Sequence, residues 1–127
     1  MTNKERAEKA ALLKANGQCN CCQAVLSVYK DRISVDEALL NTLSAGFAAG
    51  MGCMQSTCGA LIGSVMVAGF LTEGKGTVGV AKTVLEEFKR KSGALICRDL
   101  KGIDTGKVLC ACPDCVKHAV EALEKFE

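Results

Sequence analysis

Between Ala38 and Thr72 the chain carries no Asp, Glu, Lys, Arg or His, although both flanks are dense in charge. So long an uncharged stretch belongs in a bilayer or in a protein core. A bilayer span needs about 20 predominantly apolar residues in succession. Here the run is broken by Asn41, Ser44, Gln55, Ser56 and Thr57 and by six glycines. A buried helical hairpin is therefore expected, with no membrane span, and the rest of the chain must pack around it. A length of 127 residues suits one domain with a real core, so a single domain over residues 1–127 with one site is expected.

Caps and glycines mark out the helices. Thr2 followed by Glu5 has the form of a capping box, and Asn16-Gly17 can stop a helix in a left-handed turn, which predicts a first helix over Asn3 to Ala15. Asn20 can cap a second, with Cys21 and Cys22 in its first turn and Val25, Val28, Tyr29 and Arg32 at helical spacing. Ser34 with Glu37 suggests another box, opening a third helix in which Val35, Leu39, Thr42, Leu43 and Gly46 recur at three and four. After the turn Gly50-Met51-Gly52-Cys53, Ser56 or Thr57 can cap a fourth helix that begins at Cys58. Its Gly59 and Gly63, four apart, permit close backbone approach and make it the expected centre of the bundle. A fifth helix from Thr77 to Ser92 presents Val80, Val84, Leu85 and Phe88 inward and a solvated charged face outward. The last opens at Pro113 and buries Val116, Ala119, Val120 and Leu123. Ala94 to Ile96 is too short to argue for a sheet. The expected fold is all-α, a bundle of about five to six helices around a central glycine-rich one.

Bulk charge excludes one class of partner. Sixteen basic and 14 acidic residues leave a net charge of +2, and aromatics make up 4% of the chain. That leaves neither the positive footprint nor the stacking platforms on which nucleic-acid binding rests. Nine cysteines are the compositional anomaly. The hydrophilic start, Met1 to Lys9, lacks the apolar core of a signal peptide, so a cytoplasmic, reducing location is expected. In that setting many cysteines point to metal binding or catalysis, and an odd number cannot pair completely within one chain.

On the helix map, Cys21, Cys22, Cys58 and Cys112 fall at expected helix starts. There about half a positive charge and several free amides favour a thiolate. Cys97 falls in the turn after the fifth helix, beside Arg98, whose charge favours the same ionised form. A single cysteine is more often a small buried hydrophobe; four at such places argue for a functional cluster.

The segment Cys58-Gly59-Ala60-Leu61-Ile62-Gly63 resembles the C-G-A-x-x-G signature of the C_GCAxxG_C_C family, whose members are regarded as redox-active. The resemblance extends over Asn20-Cys21 with Gln23-Ala24-Val25, Gly46 to Gly52, Cys97-Arg98-Asp99-Leu100, and Cys112 with Val116 and Ala119. It implies that Cys21, Cys58, Cys97 and Cys112 are the family's four cysteines. Through the similar domain of split-Soret cytochromes, which contain iron–sulfur centres, it also implies such a cofactor. Cys19, Cys22, Cys53, Cys110 and Cys115 are additional and stand as secondary candidates; Cys19 with Cys22 and Cys112 with Cys115 each have C-x-x-C spacing.

Four thiolates suit an iron–sulfur cluster, which is the first expectation, serving electron transfer with a redox partner protein. A cofactor-free thiol–disulfide oxidoreductase with Cys58 as nucleophile is the second. A partner-binding helical subunit, possible as a homodimer, is the third. Zinc fits the spacing less well. Haem attachment lacks its histidine after Cys115, and His118, the only histidine, is expected at the surface.

Overall fold

The computed structural model describes all residues from Met1 to Glu127. It is all-helical: α1 (Asn3–Ala15), α2 (Cys21–Ser27), α3 (Glu37–Ser44), a π-helical turn (Gly50–Met54), α4 (Gly59–Leu71), α5 (Thr77–Ser92), α6 (Cys97–Lys101), α7 (Cys112–Glu121) and a closing 3-10 turn (Glu124–Phe126). Seven α-helices exceed the expected five to six because the turn holding Cys97 winds into a short helix. No helix is long and apolar enough to cross a membrane.

Local signals set several boundaries. At α1 the capping box forms in both directions, Glu5 N to Thr2 Oγ1 at 3.1 Å and Thr2 N to Glu5 Oε1 at 2.8 Å. Gly93, at φ +96°, ends α5 through its N–H to the Lys89 carbonyl. Helix α3 departs from expectation. Its cap is Asp36, which accepts from Leu39 N at 3.1 Å, in place of Ser34. The buried face shifts with it to Leu40 and Ser44, and leaves Leu39 and Leu43 exposed.

Helix α4 lies at the centre, packed against α2, α5 and α7, while α1 lies along α7. Its apolar residues Leu61, Val67 and Ala68 join Val25, Leu26, Val84, Phe88, Val116, Val120 and Leu123 in one continuous core. Close approach to α2 depends on two glycines. A Cβ on Gly63 would stand 2.8 Å from the Cys22 carbonyl oxygen, and one on Gly59 would stand 2.1 Å from that of Phe47. Neither contact can be relieved without moving backbone.

Candidate functional site

Cys58 is the N-cap residue of α4, and Cys21, Cys97 and Cys112 are the first residues of α2, α6 and α7. Each helix start is pinned by the chain around it. Asn20 caps α2, accepting from Gln23 N at 2.8 Å, and its amide reaches the Ala45 carbonyl at 3.2 Å, so the end of α3 is tied to the start of α2. A single antiparallel bridge joins Thr57 to Ile96. Through it Cys58 N donates to the Leu95 carbonyl at 2.9 Å and Cys97 N to that of Ser56 at 3.1 Å, so α4 and α6 start side by side. The N–H groups of Leu109 and Cys110 both bond to the Leu100 carbonyl, at 3.0 and 3.2 Å, which brings the approach to α7 against α6.

These constraints bring the four cysteines expected from the sequence to the wall of one cavity of about 280 Å³, and Cys115, one turn after Cys112, lines it too. Two lysines, Lys14 from the last turn of α1 and Lys101 from the end of α6, reach the same space. Ala48, Ala49 and Met54 close an apolar side. Glycines fit the backbone to the sulfurs. A Cβ on Gly59 would lie 2.6 Å from Cys21 Sγ, and one on Gly50, at φ +58°, would lie 2.9 Å from Cys97 Cβ.

The other cysteines lie elsewhere. Cys22 is fully buried in the core, and Cys19 is half-buried ahead of α2; neither lines the cavity. Cys53 is exposed on the π turn, its Sγ 3.4 Å from the Gly50 carbonyl. Cys110 is buried with Sγ 3.7 Å from His118 Nδ1. That histidine is half-buried, 2.8 Å from Ser92 Oγ, and burial holds it below its ordinary pKa. The expectation of a surface histidine is corrected by this packing of α7 on the end of α5.

Helix starts do not ionise every thiol. Cys58 is lowered to about 6, first by the Cys115 thiol beside it, then by the N–H groups of Ala60 and Leu61 and the charge of Lys101, which together outweigh burial. Cys115 is raised in return, chiefly through Cys58. Cys21 and Cys97 are raised by burial. Arg98, expected to assist Cys97, turns instead to Asp104, with nitrogen–oxygen distances of 2.7 and 2.6 Å. The cation that acts on Cys97 is Lys101.

Lys101 is the residue that sequence reasoning missed. Its Nζ is buried and has no hydrogen-bond partner; Tyr29 Oη, a neutral hydroxyl, is the other such side-chain atom. Burial alone would push the ammonium down, but the sulfurs of Cys112, Cys115 and Cys58 outweigh it and hold it up. No three His, Cys, Asp or Glu side chains are disposed around a single metal ion. The arrangement is a cavity wide enough for something larger than an ion, with thiols on several sides and cations at two.

No curated protein and no solved structure matches the chain. The sequence pattern described as "Putative redox-active protein (C_GCAxxG_C_C)" matches residues 19–126, which take in all nine cysteines and every helix from α2 onward. The chain belongs to that family.

Proposed function

We propose that Cys21, Cys58, Cys97 and Cys112 hold one iron–sulfur cluster that serves electron transfer. The observation that carries this reading is the joint wall: four helices deliver cysteines to one cavity that also receives a buried ammonium without a partner. A cluster would hold more than one iron atom, so its cysteines would surround a volume instead of meeting at a single ion. That suits the 280 Å³ space.

The donor set fits in charge as well. Thiolates and sulfide are anionic, and an isolated ammonium taken out of water costs several kcal/mol unless an anion meets it. Lys101 supplies that ammonium, and Lys14 a second cation. Ala60 and Leu61 N–H groups face the Cys58 sulfur and favour its ionised form. Ala48, Ala49 and Met54 limit water on the loop side. When bound, the cluster would accept and release electrons, and the chain's own groups would hold it, balance its charge and shield it.

Cys58 also supports a second reading, as the nucleophile of a cofactor-free thiol–disulfide oxidoreductase. A thiol lowered to about 6 stands beside Cys115. The Cys58 thiolate would displace one thiolate from a substrate disulfide. Cys115, losing its proton, would attack the Cys58 sulfur of the mixed disulfide and expel the second substrate thiolate, leaving a Cys58–Cys115 disulfide and, once both substrate thiolates are protonated, two substrate thiols.

Anaerobic purification followed by an absorption spectrum and iron and sulfide analysis separates the two. The cluster reading expects a brown protein with broad visible absorption, weakened when Cys58 or Cys97 becomes Ser. A colourless, iron-free protein that loses two thiols on mild oxidation would overturn it in favour of the second.

A further inference from the structure

The cavity holds a charge for which the four proposed ligands do not account. Lys101 lies at the end of α6, four residues after Cys97, so both project from one short helix towards the same space. Its stem is half-buried and its Nζ is shut off from solvent. No carboxylate meets it: Lys101 is absent from every ion pair of the chain, and the side chains that share its cavity wall include Cys58, Cys97, Cys112 and Cys115. Nearby acids are engaged elsewhere or exposed: Asp104 with Arg98, and Asp99 facing solvent. A lysine with this choice of surroundings could extend to water, as most do. Its Nζ instead stays buried at the cavity wall.

We propose that Lys101 is a positioning residue that supplies the counter-charge of the cavity's anionic occupant and thereby sets the ease with which the bound cluster accepts an electron. The proposal rests on the cluster reading given above. Reduction adds one negative charge to the occupant; an ammonium fixed in a dry wall stabilises the reduced form more than the oxidised one. Charge and placement do this together. Lys14 is half-buried on α1 and its field is weakened by water, whereas Lys101 acts through a water-poor interior.

Different effects in two states of the protein follow. In the metal-free chain the thiols on the cavity wall already stand beside Lys101, so Lys101→Met, which keeps the stem and removes the charge, does not raise Tm. In the loaded chain the same substitution makes the cluster harder to reduce, by a tenfold or greater change in the one-electron equilibrium, about 59 mV more negative. Lys101→Arg keeps the charge and restores the wild-type direction.

The test uses the full chain purified anaerobically, with iron and sulfide content, a potentiometric titration of the visible absorption, and Tm after metal removal by a chelator. A loaded Lys101→Met protein with a lowered potential and a metal-free Tm no higher than the wild type's supports the assignment, as does failure of Lys101→Met alone to load while Lys101→Arg loads. An unmoved potential in a loaded variant overturns it and leaves the cluster reading intact. Loss of loading in both variants places the effect in packing and overturns it likewise. A wild-type chain without iron takes down this proposal and the cluster reading together, and the iron analysis tells that outcome from the others.

Discussion

Arg6 and Lys101 both carry a positive charge into the interior, and the chain provides for them in opposite ways. Arg6, whose side chain is 5% exposed, bonds to Asp31 at 2.7 and 2.8 Å, donates to the Val28 carbonyl, approaches Glu127 at 3.5 Å and stacks 4.7 Å from the Tyr29 ring centre. Lys101 has none of these partners. At the Arg6 end α1, α2 and the C-terminus are locked together by a satisfied charge. At the Lys101 end the starts of α2, α4, α6 and α7 surround a space with an unsatisfied one. Buried charges without a hydrogen-bond partner are uncommon, and this one stands at the cysteine-lined end of the bundle.

The sharpest contrast between the two regions is in their thiols. In the metal-free chain Cys58 is held at about 6 and Cys22, in the packed core, is pushed up to about 12 by burial. At pH 7 their thiolate populations differ by about five orders of magnitude. Mapping iodoacetamide adducts by mass spectrometry against pH should show Cys58 labelled ahead of Cys22, at a rate that rises through about pH 6 and levels off above about pH 7, and Cys22 protected until unfolding. Equal protection of both would remove the distinction.

Backbone fit comes next. Gly59→Ala forces the Phe47 carbonyl and Cys21 apart and is expected to cost about 3 kcal/mol in urea unfolding, at the upper end of overpacking effects. Gly69→Ala, on the same helix with open space around it, should stabilise by about 0.5–1 kcal/mol through helix propensity. At the other end Arg6→Met should cost about 2–3 kcal/mol by stranding the Val28 carbonyl and freeing the acidic partners. A neutral result there would mean that the paired charge is not what closes that end.

The smallest effect is in acid. Arg6 holds Asp31 at about 2 in the folded chain, below its ordinary 3.8. A carboxylate depressed on folding contributes stability above its unfolded pKa and loses it as pH falls through the folded one. Tm should therefore drop a little more steeply between about pH 4 and pH 2 in the wild type than in Asp31→Asn, with the difference kept small because Asp31 is mostly exposed.

Strong local signals were readable in advance. Helices α1 and α5 lie where a capping box and flanking glycines put them, and the inward residues of α7 are the buried ones. Where two local signals compete, sequence alone does not choose: Ser34 and Asp36 are both good caps, and the choice of Asp36 rotates α3 so that Leu40 replaces Leu39 in the core. One-turn elements have no period to detect, which hid α6. The turn at Gly50 to Cys53 was expected from its glycines, but its π-helical winding was hidden for another reason. Ala49, Met51 and Met54 adopt positive φ there, a conformation that costs such residues about 1–2 kcal/mol and that only tertiary packing imposes.

The gathering of the four cysteines was legible in the sequence and the charge around them was not. Cys21, Cys58, Cys97 and Cys112 line one cavity, yet burial outweighs the helix start at Cys21 and Cys97. Cys115 and Lys101 owe their importance to what α6 and α7 bring beside them, which no spacing in the sequence records.

Native mass spectrometry of the anaerobically prepared chain addresses the four-cysteine centre most directly. The expected spectrum shows the 13.3 kDa chain carrying the added mass of one iron–sulfur cluster, an increment that disappears in Cys112→Ser and persists in Cys53→Ser. The bare chain mass alone, in wild type as in the variants, would contradict it.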